Sequence, residues 1–318
     1  MFIKVMCIVA MTLASINSVA EEKFPSKPIT FIVPWPAGGT ADGSMRAIGE
    51  SMSKTLNVPV VIENKPGASG ILGVSQLISA KPDGYTIGQI PLAITRFAHM
   101  GTINFDPLTD ITYLGRTAGL TFGLVVNSNS PIKTFEDYVK YAKANPGKLS
   151  YGSTGIGTST HVYMEDMAEQ LGIKLNHVPF KGGNDNLNAL LGNHTDSMMD
   201  SSVWSAHVQS GKLRLLAVFT EKRIEKFPNV PTMFELGLSI SGTSPNGIGA
   251  PKGLDPKIAR ILEMAIEKAA KDTPHVDALK KYDMPLMWMN SNDYNQYVRE
   301  IYRKEKKIVD KLNLKTIQ

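Results

Sequence analysis

Along the chain, short runs that are apolar at nearly every position alternate with longer stretches in which apolar residues recur at helical spacing. The short runs are ITFIVP (29–34), VPVVIEN (58–64), GYTIGQI (84–90), FGLVVN (122–127), KLSYGS (148–153), KLNHVPF (174–180) and LRLLAVFT (213–220), and each predicts a strand. Helical patterns occupy 41–56, 69–80, 134–145, 159–171, 184–192, 256–272 and 292–311. Strands without a polar face, regularly interrupted by helices, predict parallel sheets covered on both sides and an α/β fold class. Ligands of such sheets collect outside the carboxyl ends of strands, which directs attention to the loops after FIVP, SYGS and HVPF.

The block 125–238 has its own strand–helix series, whereas the last eighty residues are mostly helical and hold too few strands for a separate sheet. The economical arrangement is a discontinuous first lobe, 21–124 with 239–318, and an inserted second lobe, 125–238, with a ligand cleft between them. Residues 1–20 are set apart: Lys4, an apolar stretch from Val5 to Ala14 and the small-x-small sequence Ser18-Val19-Ala20 predict a secretory signal cleaved after Ala20. That stretch is too short to span a bilayer, and no later one is long enough.

Cys7 is the single cysteine and falls inside the signal, so the exported chain would carry no thiol, disulfide or cysteine-based metal site. A lipid anchor at Cys7 is disfavoured because only two residues separate it from Lys4. Without Lys4 the charge balance is 33 basic against 29 acidic residues, a net +4. Lysine and arginine are spread out, and the densest run, RKEKK at 303–307, sits in a mixed-charge helical pattern, which argues against nucleic acid as partner. The mild excess is enough to favour small anions by steering.

Two loops are built for such an anion. In FIVPWPAGGTADGSMR (31–46) an apolar strand ends in Trp35, Pro36, Ala37, Gly38 and Gly39, and Thr40 or Asp42 opens a helix, so backbone N–H groups point at whatever lies beyond. Asp42 either caps that helix and complements its dipole, which is favoured, or contacts polar groups of a ligand. YGSTGIGTSTH (151–161) repeats the arrangement, with Ser153, Thr154, Gly157, Thr158 and Ser159 forming a neutral cradle of hydroxyls and amides able to hold a carboxylate without lysine or arginine. GSTGIG is neither G-x-S-x-G nor a P-loop. His161 and Glu165 stand four apart but lack a second histidine, a weak metal signal, and no cofactor is implied. Asp200 is placed at the rim of the cleft, and Trp35 and Trp204 are candidates for its wall or for the core. Ser153, His161 and Asp200 also make a formal Ser/His/Asp set, the basis of an alternative reading as a secreted serine hydrolase. VPFKGG (178–183) echoes VPWPAGG, and its Lys181 is expected to face solvent.

With these residues in view, the chain resembles the Bug extracytoplasmic solute receptors of tripartite tricarboxylate transporters. The resemblance runs in order through FPSKPITFIVPWPAGGTAD, VVIENKPGASG, KPDGYTIG, YAKANPGKLSYGSTGIGTSTH, HVPFKGG, SGKLRLLAV, FPNVPTMFELG and GIGAPKGL. It implies a two-lobed periplasmic binding protein, type II-like and monomeric, that turns nothing over. Its ligand would be a small carboxylate: a di- or tricarboxylate, an acidic amino acid or an aromatic acid. Its partners would be the membrane subunits of such a transporter, or a sensor protein. The loops Ala37–Asp42 and Ser153–Ser159 would grip a carboxyl from opposite lobes, and ligand choice is expected in 91–100 and 241–249, with Arg96 and His99 as candidates for a second anionic group.

Overall fold

From the amino end the elements run β1 (Ile29–Val33), α1 (Thr40–Leu56), β2 (Val60–Asn64), α2 (Ile71–Ile78), β3 (Thr86–Pro91), α3 (Ile94–Met100) and β4 (Ile111–Leu120). There follow β5 (Phe122–Asn127), α4 (Phe135–Ala144), β6 (Ser150–Ser153), α5 (Ser159–Leu171), β7 (Asn176–Pro179), α6 (Gly183–Leu191), β8 (Ser197–Ser201), α7 (Ser205–Gln209) and β9 (Leu213–Val218). The chain closes with β10 (Ser244–Pro251), α8 (Pro256–Lys271), α9 (Thr273–Lys281), β11 (Leu286–Met289) and α10 (Ser291–Lys311). This computed structural model describes residues 23–240, 242 and 244–314, so the signal at 1–20 and Cys7 lie outside the described residues.

The strands form two sheets, ordered β11-β4-β10-β3-β1-β2 and β7-β6-β8-β5-β9. The chain passes from the first sheet to the second between Leu120 and Phe122, and returns between Val218 and Ser244, so β10 and β11 rejoin the first sheet. Each sheet is covered on both faces. In the first, Met45, Ile48 and Met52 of α1 pack with Leu262, Ala265 and Ile266 of α8 on one side, and Val74, Leu77, Phe97, Val298 and Val309 fill the other. In the second, Phe135, Tyr138, Met164 and Met167 of α4 and α5 lie opposite Leu187, Leu190 and Trp204. Val162 of α5 departs from this division and joins the first sheet's layer beside Phe97.

The expectation of parallel sheets needs correction. β1, β2 and β3 are parallel, as are β6, β7 and β8, but β10 runs antiparallel to β3 and β4, β11 antiparallel to β4, and β5 antiparallel to β8 and β9. A strand buried on both faces reads as apolar in either orientation, so periodicity could not separate the two. Helices α4, α8, α9 and α10 begin on side-chain caps, from Thr134, Asp255, Asp272 and Asn290. The helices that face the junction of the lobes are built differently.

Candidate functional site

Helices α1, α5 and α6 start at Gly39, Thr158 and Gly182, and none of the three has a side-chain cap. All three starts open into one cleft between the sheets, lined by Gly39, Thr40 and Ala41, by Thr158, Ser159 and Thr160, and by Gly182, Gly183, Asn184 and Asp185. Trp35 and Pro36 wall it from the first lobe, Leu120, Phe122 and Ser244 from the segments joining the lobes, and Asp200, Ser201 and Val203 from the end of β8. Part of this space is open to solvent. No lysine, arginine or histidine lines it among the described residues. The positive potential comes instead from the first turns of three helices, each worth roughly 1 kcal/mol to a nearby anion.

The first loop is held by an acid that points away from the cleft. Asp42 is buried, and its Oδ2 accepts from the Gly38 N–H (2.8 Å) and from Arg46 Nε (2.9 Å). Its Oδ1 accepts from Asn64 Nδ2 (2.7 Å), which also donates to the Trp35 carbonyl (2.9 Å). Burial would raise the Asp42 pKa, but the hydrogen bonds from Arg46, Asn64 and Gly38 outweigh it and hold the carboxyl below its ordinary value. Of the residues expected here, Trp35, Gly39 and Thr40 face the cleft, whereas Ala37, Gly38 and Asp42 do not line it. Gly38 spends its N–H on Asp42, and the Ala37 carbonyl accepts from Asn184 Nδ2 of the other lobe (3.3 Å).

In the second loop Thr154, Thr158 and Ser159 line the cleft. Thr160 Oγ1 ties them together, accepting from the Thr154 N–H (3.0 Å) and lying 2.8 Å from Thr154 Oγ1 and 2.9 Å from Thr158 Oγ1. Ser153, Gly157 and His161 lie behind this surface. Ser153 Oγ is 2.6 Å from Nε2 of His177, not of His161. His161 accepts the Gly157 N–H at Nδ1 (3.1 Å) and stacks on His177, with ring centroids 4.1 Å apart. Burial, then repulsion from His177 and Arg96, pushes His161 down to about 3, and burial pushes His177 down to about 4. The formal Ser/His/Asp set is therefore not assembled: Ser153 bonds a different histidine, and Asp200 bonds Asn186 and Ser201. Glu165 accepts from the Tyr151 hydroxyl (2.6 Å), and no cluster able to hold a metal occurs among the described residues.

Arg96 and His99 are also placed elsewhere. Arg96 is 2 % exposed and clasps Glu305 of α10 through Nε and NH2, both at 2.6 Å, while NH1 donates to the Gly157 carbonyl across the lobe boundary (2.7 Å). His99 donates to the Tyr302 carbonyl (2.7 Å). Their segment still contributes Pro91 and Ala93 to the cleft, and 241–249 contributes Ser244. Trp204 is core, with its indole N–H on the Asp200 carbonyl (3.1 Å). Sequence reasoning missed α6 as a third wall. The signal was present in VPFKGG, whose two glycines line the cleft while Lys181 is exposed.

The lobes touch across this cleft. Thr40 Oγ1 and Ser201 Oγ share a 2.6 Å hydrogen bond, Ser69 Oγ donates to the Ile156 carbonyl (3.1 Å), and Lys311 bridges to Asp166 (2.7 Å) and Glu169 (3.0 Å). Asp200 is a buried exception to the cleft's donor character. It is 1 % exposed, and burial pushes its carboxyl up to about 7 against the pull of hydrogen bonds from Asn186 and Ser201.

Residues 44–314 match the family model described as tripartite tricarboxylate transporter family receptor. A protein of Cupriavidus necator named UPF0065 protein in gbd 5'region is 44% identical over 310 residues, covering 97% of this chain and 95% of its own. The structure of the periplasmic binding protein BugD superposes with a TM-score of 0.86 at 27% identity, covering 92% of this chain and 99% of that one. MatC from Rhodopseudomonas palustris, solved with bound malate, superposes at 0.83 with 25% identity, covering 90% of this chain and 100% of its own.

Proposed function

The chain belongs to the tripartite tricarboxylate transporter receptor family, and from that premise we propose that it is a periplasmic receptor that closes its lobes on a small carboxylate. It carries the ligand to a transporter in the membrane, or reports it to a sensor, and makes no covalent change to it. One observation carries this reading: three uncapped helix starts, one from the first lobe and two from the second, converge on a cleft with no basic side chain among its described lining residues. Uncapped amide groups at a cleft between lobes call for an acceptor, and a carboxylate can accept from several at once. Because the donors come from both lobes, the ligand binds the closed form better than the open one, which is what lets binding drive closure.

The bound malate of MatC supports the ligand class. Against the hydrolase alternative stands the pairing of Ser153 with His177, behind the cleft lining, with Asp200 on other partners. The test is a thermal-shift screen of mono-, di- and tricarboxylates, since a ligand selective for the native state raises its apparent stability. At least one acid is expected to raise the Tm at millimolar concentration without being consumed. A Gly39→Val variant should fold, because an added Cβ at Gly39 meets nothing within 4 Å, yet lose the shift by filling the mouth of the α1 amides. Silence of every acid, or turnover of one, would overturn the reading.

A further inference from the structure

We propose that His161 positions the ligand-holding turn of the second lobe by accepting the Gly157 N–H from behind, which leaves the first amides of α5 free for a carboxylate. This rests on the reading of the cleft as a carboxylate site. The same device occurs once in each lobe. Ahead of α1, Gly38 has φ of +87°, Gly39 is extended, and the Gly38 N–H is held by the side chain four residues on, Asp42. Ahead of α5, Gly157 has φ of +73°, Thr158 is extended, and the Gly157 N–H is held by the side chain four residues on, His161. A helix commonly opens on a side chain that accepts from its own first-turn amides. Here the bond runs backward, to an amide outside the helix, so the turn is fixed while neither helix start carries a side-chain cap.

The two acceptors differ in charge, and their surroundings say why. Asp42 is an anion answered by Arg46 at 2.9 Å. Behind the second loop Arg96 is already committed, to Glu305 through Nε and NH2 and to the Gly157 carbonyl through NH1. A carboxylate at 161 would be a buried charge without its own cation, set close to an anion site; an imidazole supplies the acceptor without the charge. The groups that face the ring are His177 of β7, stacked at 4.1 Å, Glu165 one turn along α5, whose Oε1 lies 4.0 Å from Nε2, and Arg96 of α3 with Glu305 of α10. Tyr151 of β6 backs the stack, 4.9 Å from His177, and donates its hydroxyl to Glu165. With Nδ1 accepting, the ring proton sits on Nε2. Burial, then His177 and Arg96, hold the pKa of His161 down to about 3, so the lone pair at Nδ1 is kept across the range in which an ordinary histidine titrates.

The experiment has two arms. In the first, NMR of the intact wild-type protein should show a scalar coupling across the hydrogen bond between the Gly157 amide nitrogen and His161 Nδ1, and no titration of His161 from pH 8 to 6. In the second, benzoate, succinate, malate and citrate are titrated calorimetrically into the wild type and two variants. His161→Phe keeps a ring on His177 but no acceptor, and should weaken whichever acid binds by about ten-fold or more, the scale of one lost hydrogen bond to a charged group. His161→Asn loses the ring but places an oxygen near the position of Nδ1, and should stay within about three-fold of the wild type. A role in packing alone predicts the reverse order, and that order would overturn the proposal. Absence of the coupling, or titration of His161 between pH 8 and 6, would overturn it too and leave the receptor reading standing; this arm decides by itself should the variants fail to fold. Silence of all four acids in the wild type would overturn the receptor reading and the proposal together.

Discussion

Gly38 and Gly39 look equivalent in the sequence and differ in the fold. Gly38 has φ of +87°, a conformation that favours glycine, and a Cβ there would come within 3.0 Å of the Asn184 amide; Gly39 has an ordinary extended backbone and faces open space. Only the second is glycine for the sake of the cleft. Asp42 shows the same limit: its place in the first turn of α1 was legible, and Arg46 stands one turn further along the same helix, but Asn64, which also holds it away from the cleft, was visible only once β2 lay beside β1. Asp200 was placed at the rim from sequence, although its unusual charge state could not be, because burial is a property of the folded surroundings. That charge state has a measurable sign. Between the ordinary carboxylate pKa of about 3.9 and the folded value of about 7, the native protein holds a proton that the unfolded chain has lost. Stability therefore declines as pH rises through that window, and the deficit is complete above it. Without ligand, Asp200→Asn should gain up to about 4 kcal/mol at pH 8 and almost nothing at pH 4, as read from denaturant unfolding at the two values. Equal gains at both would contradict the assignment.

At the level of elements, the strongly periodic helices were the most legible: α5 occupies 159–171 as the pattern predicts, and β5 occupies 122–127. What escaped were elements whose residues do not advertise them. β10 reads SPNGIGAP, rich in residues poor at forming strands, and is a strand because β3 and β4 pair with both its edges. β4 contains Gly115 and Arg116, and α3 is seven residues long with a buried arginine in its middle. That arginine joins three helices, since Arg96 on α3 grips Glu305 on α10 and holds the Gly157 carbonyl just ahead of α5. Arg96→Ala should cost about 3–5 kcal/mol by leaving Glu305 buried and unpaired. The double variant Arg96→Met with Glu305→Leu should recover most of that stability in denaturant melts. It should not recover affinity, because Gly157 still lacks its donor and the Thr158–Thr160 turn is no longer fixed. Full recovery of binding would show that the pair serves stability alone.

On the scale of the molecule, the last eighty residues, short of strands in the sequence, supply β10 and β11 to the first sheet, which gives their helices a surface to bury apolar faces against. Strand direction was not legible, nor was the closeness of the lobes, which depends on side chains far apart in sequence such as Thr40 with Ser201 and Lys311 with Asp166. The absence of basic side chains from the described cleft lining has a consequence for the medium in which this receptor works. Its donors are peptide dipoles and hydroxyls enclosed between lobes, where mobile ions penetrate poorly and have no formal cation to cloak. Raising sodium chloride from about 10 to 500 mM should slow ligand capture through the diffuse net charge while leaving Kd within about two-fold. Such a protein would hold its ligand about as tightly in brackish as in fresh water.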